Sequence, residues 1–407
     1  MTDTSLPKPQ GKPAWGAVLA MSLAAFALVA SEFMPVSLLT PVAADLHISE
    51  GQAGQGIAVS GAFALVTSLF IASIAARIER KWLLSALTLL MIISGTVAAL
   101  APSYLVFMVG RALIGVAIGG FWSLSAATAM RLVPQDKVPR ALAIVNGGNA
   151  LATVVAAPLG SFLGAIIGWR GAFFCIVPVA ALALAWLLMS LPSMPIQAKR
   201  GAANPFRLMA RAPVALGMLA VSTFFMGQFM LFTYLRPFLE SVTRVDVSLL
   251  SLMLLAIGLA GLLGTFLIGA LLKKGLYRTL IIIPLLMAAI ALALVGFGDS
   301  ASITALLLGL WGLVATAAPV GWWTWLARTL PDDAEAGGGL MVAIVQLAIA
   351  SGATVGGVLF DLSGYRATFE TSAAVLVVAA ILTILAARAS ARPSTQASPT
   401  VTYSTGR

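Results

Sequence analysis

One cysteine, Cys175, and one histidine, His47, occur in 407 residues. A disulfide framework needs paired cysteines and a metal cluster needs several ligands at set spacing, so neither is expected, and no cofactor is called for. Charge is scarce too: Asp, Glu, Lys and Arg make up 9% of the chain, against about 25% in soluble domains. The chain has no His-Glu-x-x-His, no Gly-x-Ser-x-Gly and no glycine-rich phosphate loop preceding a lysine. Zinc-protease, serine-hydrolase and nucleotidase chemistry therefore lack their residues, and an enzyme is not expected. Transport powered by the chain's own ATP hydrolysis is excluded on the same ground.

What fills the chain is apolar: 60% of it is hydrophobic, above the ~45–50% of soluble proteins. Runs long enough to cross a bilayer, roughly 20 residues each, fall at 14–42, 52–76, 82–101, 103–130, 140–167 and 171–191. Six more fall at 213–239, 248–272, 279–298, 301–327, 338–360 and 367–387. The first is too long for the apolar core of a signal peptide and reads as a true span. The fold expected is an all-α membrane protein of twelve helices.

The excess of 24 basic over 14 acidic residues follows a pattern. Numbering loops from a cytoplasmic N-terminus, nineteen Lys and Arg fall in inside loops and tails, among them Arg77, Arg80, Lys81, Arg131, Lys273 and Arg328. Only Arg170, Arg236, Arg244 and Arg366 fall outside. That asymmetry obeys the positive-inside rule and predicts cytoplasmic termini in a bacterial inner membrane. It accounts for the net charge of +10 without nucleic acid as a partner.

Two halves share one plan. A polar, basic stretch at 192–212 separates a bundle at 14–191 from one at 213–387, with polar tails at 1–13 and 388–407. Glu32-Phe33-Met34 with Ser37, Leu39 and Pro41 recurs as Gln228-Phe229-Met230 with Thr233, Leu235 and Pro237. Arg131, Pro134, Asn149 and Gly160 recur as Arg328, Pro331, Gln346 and Gly357, and Gly168-Trp169-Arg170 as Gly364-Tyr365-Arg366. Six spans separate the copies, so they share orientation. Parallel six-helix repeats with a site at their interface near mid-membrane are a transporter design.

Two charges sit deep in apolar segments: Glu32 in the first span and Arg111 in the fourth. By default an intramembrane carboxylate marks an ion or proton pathway. The second copy carries Gln228, nearly isosteric but unable to ionise, as if one half titrates and the other only hydrogen-bonds. A structural acid bonded inside the bundle is the competing reading. Arg111 likewise reads either as the coupling cation or as a packing anchor satisfied by carbonyls.

Asn146, Asn149 and Thr153 form one polar stripe on the fifth span, and Gln346 answers Asn149 in the eleventh. Such amides can serve as interhelical hydrogen bonds or as contacts for a planar polar ligand. Phe225, Gln228 and Phe232 make another stripe, an amide between aromatics. Trp122 and Trp311, deep in their spans, are candidates to stack on a base. Trp322, Trp323 and Trp325 read as an interfacial aromatic belt. The partners expected are a small-molecule substrate, protons and the bilayer, with the chain a monomer.

Several motifs resemble the major facilitator superfamily, in particular its proton-coupled drug-antiporter branch. Arg111-Ala-Leu-Ile-Gly115 is similar to that family's Arg-x-x-x-Gly motif, which implies a part for Arg111 in proton coupling. Ala157-Pro158-Leu159-Gly160-Ser161 resembles the antiporter signature, which implies exchange through a bend at Ala157, Pro158 and Gly160. After the second span, Ala76-Arg77-Ile78-Glu79-Arg80-Lys81 departs from the family's Asp-Arg-x-Gly-Arg-Lys, with Glu79 a possible substitute for the missing acid. The stretches EFMPVSLLTPVAADLHISEGQAGQ, GGFWSLSAATAMRLVP, APLGSFLGAIIGWR and PVGWWTWLAR together resemble purine ribonucleoside exporters of this branch. The resemblance implies proton-driven export of inosine or guanosine, with sugar or multidrug efflux as the alternative.

Overall fold

The computed structural model describes residues 13–75, 77–194, 205–331 and 333–391. The tails at 1–12 and 392–407 and the middle of the expected linker, 195–204, lie outside the described residues. The described chain holds thirteen α-helices. In the first half they are α1 (Trp15–Leu46), α2 (Glu50–Ala75), α3 (Arg80–Ala99), α4 (Tyr104–Leu132), α5 (Val138–Phe174) and α6 (Ile176–Ser190). The second half has α7 (Ala212–Phe232), α8 (Leu235–Phe238), α9 (Val247–Lys274), α10 (Leu276–Phe297), α11 (Ala301–Ala315), α12 (Ala318–Thr329) and α13 (Ala334–Ala391).

Ten helical stretches are long and apolar enough to cross a membrane. Two of them, Gln135–Ser190 and Gly337–Ala391, run 56 and 55 residues. At ~1.5 Å per residue such a length exceeds 80 Å, far beyond a ~30 Å hydrocarbon core. Each is interrupted by one glycine in the left-handed region, Gly168 at φ 74° and Gly364 at φ 76°. Without a Cβ, glycine takes that conformation at no steric cost, so the chain turns back there. With a turn inside each of two of them, the ten stretches among the described residues can hold the twelve spans expected.

The repeat seen in sequence is also a repeat of geometry. Among the described residues, the four with φ in the left-handed range come in two pairs, Gly168 with Gly364 and His47 (54°) with Arg244 (57°). Trp169 meets Phe173 edge-on, as Tyr365 meets Phe369, and Arg170 and Arg366 each lie over the ring before them. A Cβ on Gly115 would run into the Ser60 carbonyl, and one on the equivalent Gly312 into the equivalent Ile257 carbonyl. Each half keeps its own apolar core.

The halves touch through α2 on α13 and α5 on α9. The close approaches are symmetric: a Cβ on Gly61 would lie 2.9 Å from the Gln346 carbonyl and 3.1 Å from the Ala350 Cβ. A Cβ on the equivalent Gly258 would lie 2.7 Å from the Cα of Val154, whose counterpart is Ser351, next to Ala350. Further along α2, Gly51 N–H and the Ser49 hydroxyl donate to Asp361, at 2.9 and 2.5 Å, and Thr354 donates to Gln55 at 3.1 Å.

The loop where Glu79 departs from the family pattern has its own anchor. Glu79 precedes α3, and its carboxylate accepts the Met194 N–H at 2.8 Å, tying the loop to the end of α6. The Ser193 hydroxyl and the Met194 N–H hold its carboxyl below the ordinary value of 4.5. A lowered folded-state value means the contribution is present above 4.5 and lost as pH falls through the lowered value. Glu79→Gln should therefore lower the melting temperature at neutral pH and make little difference in acid. An equal penalty at both ends of a pH-resolved melting series would assign the effect to packing.

Candidate functional site

α1 carries two internal prolines, Pro35 and Pro41. Proline has no N–H, so each leaves the carbonyl four residues earlier without its helical donor. Those carbonyls belong to Ser31 and Ser37, and each is filled by an arginine. Arg111 Nη1 donates to the Ser31 carbonyl at 2.9 Å, and Arg236 Nη1 donates to the Ser37 carbonyl from the other half. Arg236, placed by its sequence position in an outside loop, is instead buried, with its Nε on Glu240 at 2.7 Å.

Arg111 is 1% exposed and fully engaged. Besides Ser31 it donates from Nε to the Gly56 carbonyl at 3.1 Å and from Nη2 to the Ser60 hydroxyl at 3.2 Å and the Glu32 carbonyl at 3.5 Å. The Ser60 hydroxyl in turn donates to the Ile57 carbonyl at 2.9 Å. The guanidinium thus pins α4 to α1 and α2, and it makes no ion pair with the Glu32 carboxylate. These bonds suit the anchor reading of Arg111 and also hold the cation close to the acid.

Glu32 is 8% exposed. Its Oε1 accepts the Gln346 Nε2 at 3.3 Å, from α13 in the opposite half. The structure thus brings together Glu32, Arg111 and Gln346. The repeat maps Glu32 onto Gln228 and Gln346 onto Asn149, so Gln228 and Asn149 are the matching pair across the interface. It also maps Arg111 onto Leu308 and Ser60 onto Ile257. The charged cluster exists once, in the first half only.

The other expected residues are more scattered. Gln228 and Asn149 are half-buried, and the Gln228 Oε1 is a buried acceptor without a partner. The Asn149 carbonyl accepts the Thr153 hydroxyl at 2.9 Å. Asn146 is exposed and donates to the Leu142 carbonyl on its own helix at 3.0 Å, so it does not join the cluster. Trp122 is half-buried, edge-on to Phe121. Trp311, expected to stack on a ligand, is 1% exposed inside the second half's apolar core and offers no open face in this state. Phe225 is likewise buried, against Phe224, while Phe232 lies against Phe229, which stacks on Phe33 across the halves.

In α5, Ala157, Pro158 and Gly160 are all buried, and a Cβ on Gly160 would lie 2.6 Å from the Ser37 Oγ and 3.0 Å from Met34. The antiporter-like segment is therefore packed on α1 at Met34 and Ser37. Of the tryptophan belt, only Trp323 faces outward; Trp322 and Trp325 are core, and Trp325 donates to Tyr277 at 3.2 Å. An open groove of about 340 Å³ between α1, α5 and α6 is apolar and lies apart from Glu32. No group of three or more metal-ligating side chains occurs among the described residues.

Sequence reasoning missed Ser31, Gly56, Ser60 and Arg236. A signal for one of them, Ser31, was available: Pro35 predicts an open carbonyl at 31, as Pro41 does at 37.

The Major Facilitator Superfamily model matches residues 21–350. The chain is 62% identical over 393 residues to a Pseudomonas aeruginosa protein named Transcription regulatory protein OpdE, covering 96% of this chain and 98% of that one. It is 40% identical over 371 residues to the Purine ribonucleoside efflux pump NepI of Salmonella paratyphi B, covering 91% and 94%. Among solved structures, a bacterial homologue of the human lysosomal transporter Spinster, inward-facing and unoccupied, matches with a TM-score of 0.77 at 17% identity, over 93% of this chain and 98% of that one. The nucleoside transporter NupG matches at 0.76 and 14% identity, over 91% and 98%.

Proposed function

The chain belongs to the major facilitator superfamily, and from that premise we propose that it is a proton-driven antiporter exporting purine ribonucleosides such as inosine and guanosine. It works by alternating access in a bacterial inner membrane, as a monomer with both termini in the cytoplasm. One observation carries the reading. A buried acid stands at the interface of two otherwise symmetric halves, bonded to an amide across it, while its counterpart is Gln228. Packing alone would be served by an amide in both places. The efflux pump that is 40% identical supports the substrate class.

A nucleoside offers a flat base, a ribose rich in hydroxyls and no net charge at neutral pH. Asn149, Gln228 and Gln346 match it, because each amide presents both a donor and an acceptor. Trp122 supplies the aromatic face. Removing one paired buried amide should cost ~1–3 kcal/mol of binding, roughly 5- to 150-fold in affinity. Gln346→Ala and Asn149→Ala should therefore cripple nucleoside export and spare any export of hydrophobic drugs. Normal nucleoside export by both variants would displace the site.

The direct test is counterflow in proteoliposomes with labelled inosine, an arabinose-like sugar and chloramphenicol. Exchange of inosine alone supports the reading; exchange of the sugar or the drug replaces it. The name of the Pseudomonas relative favours a second reading, control of transcription. A membrane exporter can change transcription by lowering the cytoplasmic level of a metabolite that a regulator senses. In that case Glu32→Gln should alter a reporter as deletion does, whereas a reporter indifferent to that substitution would favour a direct regulatory role.

A further inference from the structure

We propose that Gln346 makes proton and substrate mutually exclusive, because a protonated Glu32 and a hydrogen-bond donor of the substrate compete for one atom, Gln346 Oε1. The inference rests on the proton-antiport reading above and assigns its coupling step to a residue in the second half.

An ionised carboxylate only accepts hydrogen bonds, so an amide beside it must turn its NH2 toward it. That is the arrangement observed: Gln346 Nε2 donates to Glu32 Oε1, and Gln346 Oε1 is left buried with no partner. The open acceptor suits a donor on the substrate, such as a ribose hydroxyl or a purine N–H. When Glu32 takes up a proton it becomes a donor itself. The terminal torsion of glutamine is soft and roughly two-fold, so the amide can turn over and accept that proton's hydrogen bond. Oε1 is then spent, and the substrate loses its contact.

The surroundings leave this exchange to Gln346. Arg111 from α4 is the charged group acting on Glu32, and its donors are held by Ser31, Gly56, Ser60 and the Glu32 carbonyl. From α2 comes the Ser60 hydroxyl, already committed to Arg111 and Ile57. The matching pair, Gln228 and Asn149, cannot ionise, so the unpartnered Gln228 Oε1 offers a second acceptor that does not depend on the proton. The substrate class implied is a neutral molecule with at least two hydrogen-bond donors. A ligand without donors would bind independently of pH.

Equilibrium binding of labelled inosine to the full chain in nanodiscs, across the acid and neutral range, tests this. In the wild type, Kd should rise by about tenfold per pH unit on the acid side, as one competing proton requires. Gln346→Met should bind more weakly with that slope flattened, although Glu32 is intact. An unchanged slope would overturn the proposal. A second measurement needs no substrate: the infrared carboxyl band that disappears in Glu32→Gln should move to higher frequency in Gln346→Met, having lost its acceptor. An unmoved band overturns the proposal too. If the wild type binds no inosine but the band moves, the nucleoside reading fails and the competition stands. If inosine binds with one slope in both proteins, the competition fails and the nucleoside reading stands.

Discussion

Glu32→Gln should abolish export driven by a pH gradient while leaving substrate exchange and the fold in place. The substitution installs at position 32 the residue that the second half already carries at 228, so its size and polarity suit the interface. Glutamine keeps an acceptor for the Gln346 Nε2, which now donates to Glu32 at 3.3 Å. It cannot take up a proton, so a gradient has nothing to load. Uphill efflux of inosine from proteoliposomes should fall to background, and counterflow at equal pH should persist within a few-fold. Glu32→Asp keeps the acid and shortens the reach by a methylene, so it should retain slow uphill transport. Wild-type uphill rates in Glu32→Gln would remove this residue from the coupling.

The second large effect is expected at Arg111, and it is one of stability. The guanidinium fills the Ser31 carbonyl, which has no helical donor because of Pro35, and bonds Gly56 and Ser60 on α2. Arg111→Met should strand those buried acceptors, at a cost of about 1–3 kcal/mol for each. Arg111→Lys should recover little, since an ammonium on a flexible stem lacks the planar fork that reaches four acceptors. Pro35→Ala in the methionine background should recover part of the loss by supplying the missing backbone N–H. A double-mutant cycle on thermal unfolding reads this coupling directly. Full stability of Arg111→Lys, or no coupling between positions 35 and 111, would contradict it.

Most of the architecture was legible because membrane spans advertise themselves by length and apolarity. Gly168 and Gly364 were visible as repeated Gly-aromatic-Arg triplets and fell in the gaps between the expected spans 140–167 and 171–191, and 338–360 and 367–387. Glu32, Arg111 and Gln346 were singled out because ionisable and amide groups are conspicuous in lipid, and the structure brings them together. Their pairing was not legible, since contacts between the halves depend on how two separately folded bundles meet. The burial of Trp311 and Phe225 was not visible for a related reason: a 3.6-residue period says which residues share a face, but not whether that face meets a ligand or a neighbouring helix. Asn146 shows the same limit, spending its amide on its own helix. Arg236 was placed by loop counting, which takes no account of an unsatisfied carbonyl six residues beyond Ser31 on another helix.

The two prolines of α1 also bear on the order of events in a transport cycle. Arg111 grips the helix from within its own half, whereas Arg236 grips it six residues further along from the other half. The first clamp can ride unbroken through any rocking of the halves, since both its jaws travel together. The second spans the seam, and so does the Asp361 contact with Gly51 and Ser49. Parting the halves at that end must therefore shear the Arg236 clamp and bare the Ser37 carbonyl to whatever enters. The stroke has a built-in sequence, with one fixed jaw and one that must let go first.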